Sequence, residues 1–195
     1  MSILLVVGLG NPGREYDGTR HNAGFAVLDA LVRPLGLAWQ HSRRFEADLA
    51  RWDAAPGRTV LLVKPQTFMN SSGRAVQALA SFHRVPPAAT VAVYDDLNLA
   101  LGLVKVSVTG SAGGHNGVAS LLAHLGDGFI RYRIGIGPKE PPEIDLADFV
   151  LSRFTPAQQT IFNQHLDHYL TGLRHVLDDG ADRAMNLLNR RPTAQ

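Results

Sequence analysis

Histidine, aspartate and asparagine recur at four points of this 195-residue chain where an apolar run gives way to a polar or glycine-rich segment. The first is Gly8-Leu9-Gly10-Asn11-Pro12-Gly13, a literal G-x-G-x-x-G behind the run Ile3 to Val7. A dinucleotide fold needs a helix to start at once and an acid about 20 residues on. Here Pro12 and the polar stretch Arg14 to Arg20 delay the helix to about residue 22, and Asp29 falls inside it. The glycines are read instead as turning the backbone tightly to present Asn11. Tyr16, Asp17, Thr19, Arg20, His21 and Asn22 follow. His21 lies at the predicted helix start, where the helix dipole lowers an imidazole pKa and keeps the ring available as a base. Taken by itself, this loop reads as no more than a helix cap.

The second segment, Tyr94-Asp95-Asp96, closes the strong apolar run Thr90 to Tyr94. Ligands of open α/β sheets bind at that end of a strand. A carboxylate there can hold a histidine's tautomer and stabilise its imidazolium form. Paired acids also suit Mg²⁺, but no phosphate loop accompanies them, so a metal ranks lower, and a plain turn cap is the remaining reading. Third, Gly110-Ser111-Ala112-Gly113-Gly114-His115-Asn116-Gly117 leads into a helix, an arrangement that suits anions. Thr109 stands where a G-x-S-x-G nucleophile elbow needs glycine, which argues against serine catalysis. Asn116 can donate to an oxyanion or ester carbonyl. In the fourth segment, Lys64 to Gly73, Phe68 can stack on a base or anchor the loop, and Asn70 adds a third amide. His168 and His175 lack an H-E-x-x-H context, so no metal site is read there.

The elements that must position these segments follow from hydrophobic spacing. Strands are predicted at 3–8, 44–52, 59–64, 90–94, 104–108 and 130–136, the last two alternating as half-exposed strands. Helical spacing covers Phe25 to Leu35, Val76 to Ala80 and Val118 to Leu125. Thr155-Pro156-Ala157-Gln158 is a capping box that opens one long helix to about Leu177, and a last short helix runs near 181–188. The alternation, without repeats or linkers, predicts a single α/β globular domain over 1–195, a mixed twisted β-sheet surrounded by helices.

Composition narrows the function classes. Cysteine is absent, which excludes disulfides, thiolate nucleophiles and Cys-ligated zinc and is compatible with a reduced, cytoplasmic setting. No apolar run approaches the ~20 residues of a membrane span, and Ile3 to Val7 is too short for a signal-peptide core. The net charge is +2, carried by three lysines and 16 arginines. Residues 43–133 hold 10 basic and 6 acidic side chains, whereas 139–182 hold 3 and 8, so a polyanion should prefer the former stretch.

Taken together, the four segments resemble the bacterial-type peptidyl-tRNA hydrolase family. The matching strings are Val7 to Gly13 with Tyr16 and Thr19-Arg20-His21-Asn22-Ala23-Gly24; Pro65 to Asn70 with Ser72-Gly73; Asp95-Asp96-Leu97; and Gly113 to Gly117 with Arg131 to Gly137. They stand in family order and spacing over about residues 3–154. The resemblance implies hydrolysis of the ester joining a peptide to the 3′-terminal ribose of tRNA, recycling tRNA from prematurely released peptidyl-tRNA. By motif, His21 would activate water and Asp95 would support it. Asn11, Asn70 and Asn116 would orient the peptide and ester carbonyl, Asn11 helping to tell peptidyl- from aminoacyl-tRNA. Tyr16 and Phe68 would contact the tRNA end or the peptide, and Lys105 and Arg133 the 5′-phosphate.

The partner implied is thus peptidyl-tRNA, through its 3′ CCA end and acceptor stem, with no cofactor, metal, DNA or membrane, and with the chain acting as a monomer. The sequence departs from the family at Asn98-Leu99-Ala100, at Ser107 where a second basic residue is usual, at Ser71, and in the acidic segment Pro141 to Asp148. The alternative is a non-catalytic RNA-binding protein of the same fold, against which the presence of His21, Asp95 and all three asparagines counts.

Overall fold

The structure is a computed structural model that describes residues 2–190; Met1 and residues 191–195 of the domain expected over 1–195 lie outside the described residues. Strand β1 (Ser2–Gly8) is the first apolar run and lies at the middle of the sheet. It pairs in parallel with β4 (Arg58–Pro65) and β5 (Thr90–Ala100), and β5 pairs in parallel with β7 (Ile130–Gly137). Antiparallel strands close both edges: β3 (Ala47–Ala55) and β2 (Gln40–Ser42) beyond β4, and β6 (Val104–Ser107) beyond β7. The order β2-β3-β4-β1-β5-β7-β6 is one mixed seven-stranded sheet, the α/β architecture that the alternating pattern predicts.

Helices cover both faces. Successive side chains of a strand point to opposite sides, so Leu5 and Val7 join Leu79 of α2 (Ser72–His83) and Leu121 of α3 (Asn116–Leu125) in one core. Val6 joins Leu28 of α1 (Ala23–Val32) and Leu173 of α6 (Leu166–Asp179) in the other. Burial on both faces is why β1 reads as a continuous apolar run rather than an alternating one. No helix among the described residues is long and apolar enough to cross a membrane.

Four expectations change. Strand β5 does not stop at Tyr94 but continues to Ala100, because pairing with β7 resumes across a register shift between Asp96 and Ala100. The two acids therefore lie within the strand. Strand β7 is mostly buried rather than half-exposed, since it lies between β5 and β6 and Tyr132 packs against α6, its hydroxyl donating to the Tyr169 carbonyl at 2.7 Å. The strand expected from residue 44 begins at Ala47, because 43–46 form the turn from β2, with Glu46 at φ 47°. The capping box at Thr155 is present, but the helix it opens, α5 (Pro156–Gln164), ends at His165, where α6 begins. The apolar positions Phe162, Tyr169 and Leu173 keep a helical period through the break, so the sequence pattern does not reveal it. Two further elements escaped the pattern, β2 and the short α4 (Leu146–Leu151); α7 (Ala181–Leu188) lies where it was expected.

Asp29, the acid inside the first helix, is occupied structurally: Lys64 Nζ and Trp39 Nε1 both donate to it at 2.7 Å, which ties α1 to β4. The end of β1 and the start of α1 approach so closely that a Cβ on Gly24 would lie 2.3 Å from the Val93 carbonyl oxygen and 2.6 Å from the backbone of Leu9. Those obstacles are backbone atoms that cannot rotate away. Gly24→Ala should therefore cost about 3 kcal/mol, the upper range for overpacking, and lower Tm by on the order of 10 °C. A thermal scan showing less than ~2 °C of change would refute the close-packing argument.

Candidate active site

The ends of the parallel strands and the loops that follow them converge on one open cavity of about 930 Å³, lined among others by Asn11, His21, Asn70, Asp95, His115 and Asn116. Asn11 comes from the loop after β1, Asn70 from the loop after β4, Asp95 from β5 itself, and His115 and Asn116 from the segment that starts α3. His21 stands on a 3₁₀ turn, Arg20–Asn22, immediately before α1. Topology thus brings four separated segments to one sheet edge, as open α/β sheets require of a ligand site.

Two histidines share one carboxylate. His21 Nδ1 lies 3.0 and 3.1 Å from the two oxygens of Asp95, and His115 Nε2 lies 3.0 Å from Asp95 Oδ1. The backbone settles the tautomer of His115. The N–H groups of Gly117 and Val118 donate to its Nδ1 at 3.1 and 3.3 Å, so the ring caps α3 with a lone pair and carries its proton on Nε2, facing Asp95. An ionised Asp95 accepts only, so His21 presents Nδ1–H to it and keeps the lone pair of Nε2 for the cavity. Burial by itself would raise the Asp95 carboxyl. The hydrogen bonds from His115 and His21, together with the charge either ring carries when protonated, outweigh it and hold the group well below the ordinary carboxylate range.

The ligand-type atoms of His21, Asp95 and His115 lie within 4.8 Å of one another, a grouping that invites a metal. The donor set does not fit one. A cation would need the lone pair of His115 Nε2, yet moving the proton to Nδ1 would set it against two backbone N–H donors. The cluster is a chain of hydrogen bonds centred on one carboxylate.

Asn11 is oriented from both sides. Its backbone N–H donates to Asn22 Oδ1 and its carbonyl accepts from Asn22 Nδ2, each at 2.9 Å. Met69 N–H donates to Asn11 Oδ1 at 2.8 Å, which leaves Asn11 Nδ2 as the donor available to a ligand. Asn70 and Asn116 are exposed within the cavity lining. Phe68 is 61% exposed, so its ring does not anchor the loop in the core. Tyr16 lies edge-on to it at 6.5 Å but outside the cavity lining. Lys105 and Arg133 are cross-strand neighbours, Arg133 in the lining and Lys105 exposed beside it. Arg133 Nε donates to Asp96 Oδ2 at 2.5 Å, so the second acid of the pair serves the arginine and not a histidine. In the acidic segment, Asp145 caps α4 by accepting from Ala147 N–H at 2.8 Å.

His115, Asn22 and Arg20 have roles that the sequence reading did not assign. For His115 a signal was present: it directly precedes a helical period, where a polar side chain serves as cap. The partner of that cap, 20 residues away on β5, left no local trace.

A buried imidazole held by a carboxylate thus faces a cavity lined by amides at the carboxyl end of an α/β sheet. The sequence profile described as peptidyl-tRNA hydrolase matches residues 5–195. The chain is 43% identical over 192 residues to the peptidyl-tRNA hydrolase of Gloeobacter violaceus, covering 98% of this chain and 96% of that one. It is 45% identical over 172 residues to that of Lactiplantibacillus plantarum, covering 88% and 90%. The crystal structure of peptidyl-tRNA hydrolase from Acinetobacter baumannii superposes with a TM-score of 0.88 at 34% identity, covering 98% of this chain and 97% of that chain. The chain belongs to the peptidyl-tRNA hydrolase family.

Proposed function

We propose that the chain hydrolyses the ester between the C-terminus of a peptide and the 3′-terminal ribose of tRNA, with His21 as general base. The observation that carries this is the His21–Asp95 pair, whose tautomer leaves Nε2 free in a cavity ringed by Asn11, Asn70 and Asn116. Nε2 takes a proton from water as its oxygen attacks the ester carbonyl, and Asp95 stabilises the imidazolium that forms. Amide donors meet the oxyanion. As the tetrahedral intermediate collapses, the ribose oxygen leaves and takes the proton from His21. An ester activated by the ribose is an easy leaving system, so this equipment suffices without metal or covalent intermediate.

Asn11, held by Asn22 and Met69, offers its Nδ2 to a carbonyl of the peptide, a group that a free aminoacyl ester lacks. Phe68 and Tyr16 supply an aromatic rim for the CCA end, and Lys105 with Arg133 takes the 5′-phosphate of the acceptor stem. In this reading the chain works as a monomer in the cytoplasm and returns prematurely released peptidyl-tRNA to the tRNA pool.

The test is release of an N-blocked aminoacyl group from tRNA, with unblocked aminoacyl-tRNA as control. Rapid release of the blocked form alone supports the reading. Binding without release would replace it by a non-catalytic RNA-binding role. For the phosphate contact, Lys105→Ala should raise KM, leave kcat in place, and reduce the slope of log(kcat/KM) against log[salt] by about 1. An unchanged slope would remove Lys105 from the interface.

A further inference from the structure

Arg20 precedes the proposed base in the chain, and the mechanism above leaves it unused. It is 4% exposed, yet its hydrogen bonds all go to neutral oxygens. Nη1 donates to the Ser152 carbonyl at 3.2 Å, to Ser152 Oγ at 2.6 Å and to the Arg153 carbonyl at 2.8 Å. Nη2 donates to Gln158 Oε1 at 2.6 Å, the same oxygen that accepts from Thr155 N–H in the capping box of α5. The guanidinium also stacks 4.4 Å from the centre of the Phe149 ring and 5.3 Å from that of Phe154. Its backbone N–H reaches the Ser152 carbonyl at 3.1 Å, and Thr19 bridges to Arg153.

These partners all belong to α4, to the turn after it, or to the start of α5. Helix α4 contributes Leu146, Ala147, Val150 and Leu151 to the wall of the cavity. It is weakly held otherwise: Phe149 is its one buried residue, and Leu146 and Leu151 are each 42% exposed. The single buried anchor of that wall therefore lies under the guanidinium of the residue next to His21. For stability alone, an apolar side chain filling the same space would avoid the cost of burying an unpaired charge. What an apolar side chain lacks is a planar fork that fixes two segments in one relative orientation.

We propose that Arg20 is a positioning residue: it locks the α4 wall to the turn that carries His21, so that the grip on substrate and the aim of the base are set together. The proposal rests on the hydrolase reading for its kinetic part. Arg20→Lys keeps the charge but offers a single point of donation in place of the fork. In that variant, amide hydrogen exchange across 145–153 and 19–22 should accelerate about tenfold while α2 and α3 keep wild-type rates. KM for N-blocked aminoacyl-tRNA should rise about tenfold, the worth of one hydrogen bond to a charged group, with a smaller fall in kcat.

Ser152→Ala and Gln158→Leu each remove one acceptor and should show part of both effects, and they decide the matter if Arg20→Lys does not fold. Exchange that rises evenly over the whole chain, with kcat and KM per folded molecule unchanged, would overturn the proposal in favour of a purely structural residue. Wild-type rates in all three variants would overturn it as well. If the wild-type chain releases nothing from tRNA, the hydrolase reading fails by itself, and the exchange measurement still decides whether the lock exists.

Discussion

His21→Ala is expected to reduce release of the peptide from tRNA by at least ~10³-fold, through kcat, with substrate affinity nearly unchanged. In the proposed mechanism His21 is the base that activates water, and neither Asp95 nor His115 is placed to replace it. Asp95 is enclosed between the two rings, 4% exposed, and the Nε2 proton of His115 is fixed by the backbone donors at its Nδ1. In the proposed mechanism affinity is spared because Asn70, Asn116, Phe68 and the Lys105–Arg133 pair are built on other segments, and Asn11 is held by Asn22 and Met69 rather than by the His21 ring. The fold should survive, since the ring's polar partner is the carboxylate, which keeps the His115 bond; the cost is about 1–3 kcal/mol, that of one charge-assisted hydrogen bond. Single-turnover release and equilibrium binding of N-blocked aminoacyl-tRNA check this, with a thermal scan alongside. Residual turnover above ~1% of wild type would mean that another group activates water.

Asp95→Asn has the second largest expected effect, a loss of about 10²- to 10⁴-fold in kcat. An amide at this position has one acceptor where the carboxylate has two. His115 must present Nε2–H, because its Nδ1 is committed to the helix α3 amides, so the amide oxygen is drawn to it. The Nδ2–H₂ group then stands where Asp95 Oδ2 was, 3.1 Å from His21 Nδ1 in the wild type. A donor then faces His21 Nδ1–H, whose remaining acceptor is the uncharged Oδ1 at 3.0 Å, shared with His115. The variant keeps the shape of the site, weakens the hold on the base tautomer and loses the countercharge for the imidazolium. A kcat within tenfold of wild type would show that Asp95 is not the orienting partner.

The same carboxylate links stability to pH. Its folded pKa is depressed, so its contribution is present above the unfolded value of about 4 and is lost as pH falls through the folded value. The stability advantage of the wild type over Asp95→Asn, read from urea midpoints, should therefore be present above about pH 4 and shrink below it. An advantage that stays constant down to pH 3 would contradict the depressed value.

Much of this protein was legible locally. Apolar runs located the parallel strands, the Thr155 capping box located the start of α5, and the delay of the first helix by Pro12 and Gly18 ruled against a dinucleotide site, in keeping with Asp29 bound to Lys64 and Trp39. Residue types in four short segments raised a base, an acid and three amides as candidates, and the family resemblance of the four together gave them roles. Hydrophobic period, capping and turn preference act over one or two turns of chain, and a sequence displays them directly.

What the tertiary structure decided is which of these groups meet, and through which atoms. His21 and Asp95 are 74 residues apart and Arg20 and Gln158 are 138 apart; the order of the strands and the packing of turns and helices on the sheet bring them together. Side-chain alternation along β5 sends Asp96 to the face of Arg133, whose partner across the ladder is Tyr94, while Asp95 points the other way to the histidines. The tautomer of His21 is set by Asp95, which also accepts from His115, and the proton of His115 is placed by the first amides of α3. The break at His165 and the anchoring of α4 under Arg20 likewise leave no local pattern. Hydrogen bonds are made at about 3 Å in space, whatever the separation along the chain, so pairing and proton placement appear only once the sheet has set the distances.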